Sequence, residues 1–499
     1  MTSGDHFLTP LATGDSRYLR GGALLLIGLM LTLLSDMRGS AGIFAWFVPV
    51  PFLIHATLHR GAGNRLWLLL TLVAASVLTL AKTTSDPLLL SAGFVVMSGT
   101  ATGIRFFVAY VLWDYIRRGV GNIAGIVAFP AVIVSLEYVQ AFYTPLGDWG
   151  ALANTQVTNL PLMQTAALFG FLGISALMAW AAALGASIAL KQGVSGTKTH
   201  MAAFGVVFVA LNVYGDLRLD HVPAGDYVRV AGIGTDYTFT GTLPDPTDPV
   251  IENTTDELIG RTAWAARHGA KIAVWAEAST IVTPEDEILL LERLTDLAIT
   301  EQITIVAAYA VLLPKDAPYH LENKFTWITG SGAIAQTYRK HHPVPGEGST
   351  PGQASLKLVP TPYGNMAGAI CYDFDFPQLG LTYARLGAEL VVLPGLDWRG
   401  MLRRHSLMAR MRAIEGGFPV LRPANGATSM AFDSRGRTLA ALPSFGTNDR
   451  TMLAYIPVGR TPTLYSRVGN VIAHVALLGF AVLLLVAGRK QLRSRKAHS

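Results

Sequence analysis

The chain has 499 residues, of which 51% are hydrophobic and 14% are charged, with a mean hydropathy of +0.39. Such a chain is too apolar for an ordinary soluble protein and indicates a membrane protein. A single cysteine excludes an intramolecular disulfide framework and any site built from several cysteines. The formal net charge is +6, but many basic residues stand beside apolar segments. That placement favours topology signals over phosphate contacts, so we expect no nucleic-acid partner.

Eight apolar segments are long enough to cross a bilayer, which takes about 20 residues with some shorter or tilted. No small-residue cleavage motif follows the first segment, and further segments come directly after it. We therefore expect an anchored chain and not a cleaved signal sequence. The segments cover roughly residues 19–36, 40–58, 65–82, 88–113, 120–142, 161–190, 200–215 and 468–488.

Basic residues orient these spans. With seven spans before the large polar insert and one after it, all five basic clusters fall on one side of the membrane, which the positive-inside rule makes cytoplasmic. The insert then faces outward, and a miscount by one span would place it in the cytoplasm. The clusters are Arg17 and Arg20; Arg60 and Arg65; Arg117 and Arg118; Lys191 and Lys198; and Arg489, Lys490, Arg493, Arg495 and Lys496.

The chain divides into three parts. We expect a membrane domain of about seven transmembrane helices over residues 1–218, a globular domain over 225–460, and a transmembrane helix with a basic cytoplasmic tail over 466–499. In the globular part, runs such as "YVRVAGIG", "ITIVAAYAVLL" and "ELVVLPGLD" predict strands. Helices are predicted near residues 250–268, 285–300, 376–387 and 402–416. This alternation indicates a layered α/β fold with sheets buried between helices.

Three reactive side chains follow strand-like runs of the globular part. Glu277 ends "IAVWAE", Lys340 ends "AQTYRK" and Cys371 ends "MAGAIC". Because residues at the carboxyl ends of strands converge on the functional crevice of such folds, the three could share one site. A thiolate is nucleophilic, an ammonium stabilises it and an oxyanion, and a carboxylate can carry the proton. Together they would support acyl transfer through a thioester.

Each of these residues also has a plainer interpretation. A lone cysteine in an apolar strand is commonly a buried structural thiol. Glu277 alone is typical of a surface acid at a strand end, and Lys340 alone of a solvated hairpin residue. Their placement does not by itself decide between these alternatives.

A family resemblance rests on these same segments. "YRKHHPVPGE", "AICYDFDFP", "VWAEAS" and "LDWRGMLRRHSLMARMRAIEGGFPVLRPANGATS" resemble corresponding stretches of bacterial apolipoprotein N-acyltransferases, the membrane branch of the nitrilase superfamily. Upstream, "GDWGALANTQ" through "LFGFLGISALM" is similar to that family's loop and following span. The resemblance covers nearly the whole chain. It implies a polytopic α-helical membrane domain plus a nitrilase-like α/β/β/α sandwich domain.

The resemblance also implies roles for individual residues. Glu277 would be the general base, Lys340 the oxyanion-stabilising cation and Cys371 the nucleophile. We expect no cofactor and no metal site. The supporting residues would be Glu347, Tyr372 and Asp373 around the site, with Trp398 and His405 in contact with substrate.

The implied reaction is N-acylation of lipoproteins by a ping-pong mechanism. An acyl chain would pass from a membrane phospholipid to the thiol, and then to the N-terminal amine of a diacylglyceryl-cysteine lipoprotein. The enzyme would be a multi-pass protein of the bacterial inner membrane with its catalytic domain on the periplasmic face. Alternatives are a membrane-tethered nitrilase or amidase-type hydrolase, a different amine acceptor, and a catalytically silent scaffold.

This chain departs from the family pattern near the expected site. Ala276 replaces a proline, Pro343 replaces a leucine, and Asp373 stands where glutamate is usual. One residue is missing in "VPGE", and the stretches 347–356 and 398–405 are shorter than usual. These changes bear on the choice of donor and acceptor more than on the three reactive side chains.

Overall fold

The structure, a computed structural model, describes residues 14–84, 92–191, 194–221, 226–236 and 245–496. The predicted start of the fourth span at residue 88, and the predicted domain limits at residues 1, 225 and 499, lie outside these ranges. The first part of the chain is helical, which agrees with its apolar segments. Its helices are α1 Gly14–Ser35, α2 Pro49–Leu58, α3 Ala62–Ala81, α4 Ala92–Val120, α5 Asn122–Tyr143, α6 Leu160–Met163, α7 Ala166–Phe169, α8 Phe171–Ala189 and α9 Val194–Asp220.

Six helices of the described residues are long and apolar enough to cross a membrane: those in Ala62–Ala81, Ala92–Val120, Asn122–Tyr143, Phe171–Ala189, Gly196–Asp220 and Val471–Ser494. Three shorter apolar stretches, Leu19–Ser35, Gly42–Leu58 and Leu160–Phe169, accompany them.

Two of the predicted spans are broken. The segment at 40–58 is a 3-10 turn, Gly42–Trp46, followed by α2, which begins at Pro49. The segment at 161–190 breaks before α8, where Gly170 has φ +67°.

Helices α3 and α4 pack closely through small residues. A Cβ added to Gly99 would lie 2.6 Å from Val77 Cα, and one added to Gly103 would lie 2.5 Å from Val73 Cα. Two glycines four residues apart thus let the two backbones touch, which is a common way for helices to associate in a bilayer.

The described residues of the globular part form two large sheets and one two-stranded pair. The strands are β1 Asp226–Ile233, β2 Ile272–Trp275, β3 Ile281–Val282, β4 Thr304–Leu312, β5 Leu321–Ile328, β6 Ile334–Arg339, β7 Val359–Thr361, β8 Gly364–Gly368, β9 Leu390–Val392, β10 Gly395–Leu396, β11 Val420–Arg422, β12 Ala424–Asn425, β13 Thr428–Phe432, β14 Thr438–Pro443 and β15 Thr451–Val458. The first large sheet has the order β15-β1-β2-β4-β5-β6, with β3 paired to β4, and the second has the order β14-β13-β11-β9-β8-β7. The two-stranded pair joins β10 to β12 in parallel.

Successive side chains of a strand point to opposite faces of its sheet, so each sheet can pack against a different layer on either side. In β2, Ile272 and Val274 face the second sheet, while Ala273 and Trp275 face helices on the other side. Helices α10 and α11 cover the first sheet and α13 covers the second. The predicted α/β/β/α sandwich is therefore confirmed. The remaining helices are α10 Pro249–Arg267, α11 Pro284–Glu301, α12 Pro377–Leu386, α13 Arg404–Gly416, α14 Leu464–Val468 and α15 Val471–Lys496.

The predicted helix positions agree closely with the structure because their ends carry local signals. Asp248 caps α10 by accepting from Val250 N, and Thr283 caps α11 by accepting from Asp286 N. Two strand expectations need correction. The run containing Cys371 leaves the sheet at Gly368, and the expected strands did not include β3, β7, β13, β14 and β15.

Candidate active site

The three reactive residues follow strands that the two packed sheets bring together. Glu277 comes two residues after β2, Lys340 directly follows β6, and Cys371 begins a 3-10 turn after β8. Their exposed fractions are only 2%, 2% and 4%. Buried ionisable groups need partners, so their contacts decide what they can do.

Glu277 and Lys340 form a direct ion pair inside the domain. Lys340 Nζ donates to Glu277 Oε1 at 2.7 Å and to Glu347 Oε2, also at 2.7 Å. Asn323 Nδ2 bridges the same two acids, at 2.8 Å to Glu277 and 2.9 Å to Glu347. Ser349 donates its hydroxyl to Glu347. The cation and two carboxylates are thus fixed by one set of hydrogen bonds.

Charge balance favours the ionised forms of Lys340 and Glu347. Burial opposes the charge of Lys340, but Glu277 and Glu347 together hold its pKa well above the ordinary value. Burial likewise opposes ionisation of Glu347, and the Lys340 ammonium nevertheless keeps the pKa of that carboxyl below its ordinary value.

Cys371 has a strained backbone, with φ +46°. Its amide donates to Pro394 O at 2.8 Å, which anchors the turn. A non-glycine residue in the left-handed region costs about 1–3 kcal/mol and is found disproportionately at functional sites. The turn places the thiol beside Leu396 of β10, Arg422 of β11 and His405 of α13.

Three polar groups surround the Cys371 sulfur. Sγ lies 3.6 Å from Leu396 O, 3.7 Å from Arg422 Nη2 and 4.0 Å from His405 Nδ1. Burial raises the pKa of the thiol, and Glu277 raises it further, whereas His405 lowers it. The resting sulfur therefore favours the thiol, and a base is needed to activate it.

Leu396 links the thiol to Glu277. Its amide donates to Glu277 Oε2 at 2.7 Å, while its carbonyl oxygen faces Sγ. The carboxylate and the sulfur thus lie on either side of one residue, in electrostatic contact with each other. The structure brings the three predicted residues into one site.

His405 lies between two carboxylates. Its Nδ1 is 2.6 Å from Asp397 Oδ1, and its Nε2 is 2.9 Å from Asp375 Oδ2. Burial opposes protonation of the ring, but Asp375 and Asp397 raise its pKa well above the ordinary value. Arg422 Nη2 donates to Asp397 Oδ2 at 3.0 Å. An imidazolium and a guanidinium therefore lie beside the thiol.

Sequence reasoning missed Asp375, Asp397 and Arg422. A usable signal was present for Arg422, because an arginine inside the apolar run "FPVLRPAN" must be buried and therefore paired. It is completely buried in β11. The partner Asp397 lies 25 residues away in sequence, so only the fold brings the two together.

Three side chains of this group are close enough together to hold a metal ion. Ligand atoms of Cys371, Asp397 and His405 lie within 4.8 Å of one another. However, Asp397 already accepts from both His405 and Arg422, and the guanidinium 3.7 Å from Sγ would repel a cation. The expectation that the site needs no metal stays a prediction.

Asp373 joins the thiol turn to the segment after β6. It is fully buried, and its Oδ2 accepts from Tyr338 Oη at 2.8 Å and from Ile370 N at 3.0 Å. Its Oδ1 accepts from His342 N at 2.7 Å. The side chain therefore sets the position of Cys371 relative to Lys340.

The other predicted contacts face the membrane domain. Tyr372 Oη donates to Pro145 O at 2.9 Å. Trp398 Nε1 donates to Thr83 O at 2.8 Å, and its ring packs beside Leu80 and Val95. Trp398 thus contacts the end of α3 and not the sulfur.

A largely apolar cavity of about 100 Å³ opens beside the site. Helices α1, α3 and α4 and the loop after α5 contribute its walls, and Trp149 and Tyr372 close the end near Cys371. Trp149 Nε1 donates to Asp375 Oδ2 at 2.8 Å, and its ring packs edge-on against His405. The cavity therefore runs from the apolar helices to the polar groups around the thiol.

Comparison with known proteins gives matches to both parts of the chain. Residues 27–184 match the family described as "Apolipoprotein N-acyltransferase N-terminal domain", and residues 229–462 match "Carbon-nitrogen hydrolase". The apolipoprotein N-acyltransferase of Geobacter metallireducens is 26% identical over 440 residues, covering 81% of this chain and 82% of that one. The apolipoprotein N-acyltransferase of Bradyrhizobium diazoefficiens is 27% identical over 423 residues, covering 78% and 77%.

Solved structures are similar to about half of this chain. A mutant amidase of the nitrilase superfamily from Nesterenkonia sp. AN1 has a TM-score of 0.42 and 18% identity over 51% of this chain and 98% of that chain. Nit3 of Saccharomyces cerevisiae has a TM-score of 0.39 and 22% identity over 49% and 94%. The chain therefore carries, in order, a match to the N-terminal domain of apolipoprotein N-acyltransferases and a match to the carbon-nitrogen hydrolases, and it is similar to proteins named apolipoprotein N-acyltransferase along about four-fifths of its length.

Proposed function

We propose that this protein transfers a fatty acyl chain from a membrane phospholipid to the N-terminal amine of a diacylglyceryl-cysteine lipoprotein. The observation that carries the proposal is the convergence of Glu277, Lys340 and Cys371 beside an apolar cavity. Homologues that bear the name apolipoprotein N-acyltransferase over about four-fifths of the chain support it.

In the first half-reaction, Cys371 is the nucleophile. Glu277 removes the thiol proton while Sγ attacks the ester carbonyl carbon of the phospholipid. The carbon–sulfur bond forms, and the ester carbon–oxygen bond breaks. Glu277 then gives the proton to the departing alkoxide, which leaves as a lysophospholipid. Lys340 and neighbouring donors stabilise the oxyanion that precedes this cleavage.

In the second half-reaction, the lipoprotein amine attacks the thioester. The carbon–nitrogen bond forms as the carbon–sulfur bond breaks, and Glu277 carries the amine proton back to the sulfur. Glu347, Tyr372 and Asp373 position the reacting groups, and His405 stabilises the thiolate by its charge.

The cavity supports a long-chain acyl substrate. Ligand pockets are lined mainly by apolar side chains, and this cavity is largely apolar and opens among membrane helices. An acyl chain lying against α1, α3 and α4 would present its carbonyl end near Tyr372. Trp398 of the catalytic domain packs beside Leu80, which is part of the cavity wall.

The proposed function also accounts for the membrane topology that the sequence predicts. We assign residues 1–218 to a membrane domain, 225–460 to the catalytic domain, and 466–499 to a final span and basic tail. Both proposed substrates are anchored in the bilayer, so lateral access requires the catalytic domain at the membrane surface. The basic clusters favour the periplasmic face of a bacterial inner membrane.

Acyl transfer can be tested on the intact protein in detergent. Purified protein is incubated with a phospholipid that carries a labelled acyl chain, and Cys371 is analysed by mass spectrometry. We expect a thioester adduct in the wild type and a strong loss of it in Glu277→Gln. The adduct should disappear when a diacylated lipopeptide is added, with label recovered on the peptide amine.

Two outcomes would overturn parts of this proposal. If the wild type forms no adduct and behaves like Glu277→Gln, the enzymatic assignment is wrong. If the adduct decays quickly in buffer and no label reaches the peptide, the protein is a hydrolase of the nitrilase type. Decay in buffer slower than transfer by at least tenfold supports the acyltransferase.

A further inference from the structure

A basic pocket lies where the catalytic domain returns to the membrane. It has a volume of about 440 Å³ and is lined by the ends of α12 and α13 and by the segment that enters α14. Three of its residues are arginines: Arg385, Arg460 and Arg467. It shares no lining residue with the apolar cavity beside Tyr372. The pocket is thus separate from the candidate active site.

The three guanidinium groups are exposed and lack acidic partners. Among the described residues, no carboxylate forms an ion pair with any of them. Arg385 Nε donates only weakly, to Ser466 O at 3.3 Å. The closest acid in sequence to the pocket wall, Glu415, is already bound by Arg412 and by Phe171 N. The three guanidinium charges repel one another, and an anion bound between them would relieve that repulsion. The pocket therefore favours an anionic ligand.

The adjoining helix has the character of a membrane-surface helix. Leu464 and Val468, one turn apart on α14, are 46% and 45% exposed, although both are apolar. Arg467 lies between them, and α15 begins at Val471. An amphipathic helix with exposed apolar residues and an arginine lies at the level of lipid headgroups. This places the pocket beside the headgroup layer at the start of the last span.

We propose that this pocket binds the phosphate of an anionic phospholipid headgroup. Guanidinium groups bind phosphate oxygens through paired hydrogen bonds. A zwitterionic headgroup has no net charge, so an anionic headgroup is the better partner for three guanidinium groups. The charges also lie at the opposite end of α15 from its basic tail, so the positive-inside signal does not account for them. A free phosphate ion has the same chemistry, and the two sources are separated below.

The test uses the full chain purified in detergent and a matched control. In the pocket variant Arg385, Arg460 and Arg467 are replaced by Gln. In the control variant Lys271, Arg293 and Lys315, which are exposed residues of the catalytic domain, are replaced by Gln. Native mass spectrometry counts phosphatidylglycerol and phosphatidylethanolamine retained by each protein. Isothermal titration measures binding of inorganic phosphate.

We expect the wild type and the control to retain one phosphatidylglycerol that the pocket variant loses, with apparent affinity reduced at least tenfold. Phosphatidylethanolamine should be retained equally by all three proteins. Equal retention of phosphatidylglycerol by the wild type and the pocket variant would overturn the proposal. Loss of phosphate binding without any change in lipid retention would also overturn it, since the pocket would then hold free phosphate. Neither readout depends on acyl transfer.

Discussion

Lys340 neutralises two buried acids at once, and its removal should be costly. It contacts both Glu277 and Glu347 at 2.7 Å. Breaking a buried ion pair by removing one partner costs about 3–5 kcal/mol. We expect Lys340→Met to lower the free energy of unfolding by about this amount at pH 8, as measured by chemical denaturation in detergent.

The pH dependence of that loss identifies its cause. In the wild type, Lys340 has a raised pKa, so its stabilisation is fully present below the ordinary lysine value and is lost only above it. In Lys340→Met, burial raises the pKa of Glu347, so the deficit should shrink as the pH falls toward 5. The double variant Lys340→Met/Glu347→Gln should recover part of the loss. A deficit that does not change with pH would contradict the charge argument.

His405 should lower the pKa of the thiol in the folded protein. Its ring lies 4.0 Å from Sγ and is held protonated by Asp375 and Asp397. An opposite charge at such a distance shifts a pKa by about one unit or more. We expect His405→Gln to move the midpoint of Cys371 alkylation by iodoacetamide upward by about one pH unit, as followed by mass spectrometry.

His341→Gln is the matched control for that experiment. The ring of His341 contacts Arg339 O and Ala354 O, and it belongs to the segment after β6. Its removal should leave the alkylation midpoint unchanged. A midpoint in His405→Gln at or below that of the wild type would mean that His405 does not favour the thiolate.

At the scale of elements, the contact between α3 and α4 depends on two glycines. A Cβ at position 103 would lie 2.5 Å from the Val73 backbone, so Gly103→Val must push the helices apart. Overpacking of this kind costs about 1–3 kcal/mol. Because both helices line the cavity, we expect a lower thermal midpoint and weaker retention of long-chain acyl substrate than of short-chain substrate.

Gly205→Val in α9 separates packing from helix propensity. A Cβ there meets no heavy atom within 4 Å, while the change in intrinsic helix propensity from glycine to valine is the same as in Gly103→Val. This control should keep the wild-type midpoint and chain-length preference. If both variants behave alike, the close contact of α3 and α4 is not important for the cavity.

Sequence patterns predicted elements well where the signal is local. Prolines and capping residues mark the starts of α10 and α11, and apolar strands locate Glu277, Lys340 and Cys371. Strand β15 carries a usable alternation, with Met452, Ala454 and Ile456 buried. Its partner β1 lies more than 200 residues earlier, so the pairing depends on the whole domain.

The charged cluster around the thiol could not be predicted in the same way. Arg422, Asp397 and Asp375 come from different segments and meet only when the second sheet is assembled. The breaks in two predicted spans also depend on context, because hydropathy measures apolar content and not helix continuity. Gly170, with its positive φ, is the local feature that explains one of them.

At the scale of the whole molecule, several polar contacts dock the catalytic domain on the membrane domain. Glu415 Oε1 accepts from Phe171 N at the start of α8, at 2.7 Å. An acid at that position stabilises the positive end of a helix. Arg404 pairs with Asp36 at the end of α1. The catalytic domain is therefore held in a fixed position relative to the apolar cavity.

The proposed orientation can be tested because the chain has one cysteine. In a Cys371→Ala background, Lys315→Cys places a thiol on the catalytic domain and Ser494→Cys places one at the end of α15. With a membrane-impermeant maleimide on spheroplasts, we expect Lys315→Cys to react and Ser494→Cys to react only after lysis. The reverse pattern would place the catalytic domain in the cytoplasm.

The burial of the single cysteine has a consequence for redox chemistry. Cys371 is 4% exposed, and its raised pKa leaves little thiolate at neutral pH. Oxidation and disulfide exchange both need an accessible thiolate. With no second thiol in the chain to form a bridge, the protein presents no intramolecular target to disulfide-forming machinery. Burial of the sulfur therefore protects it from both of these side reactions.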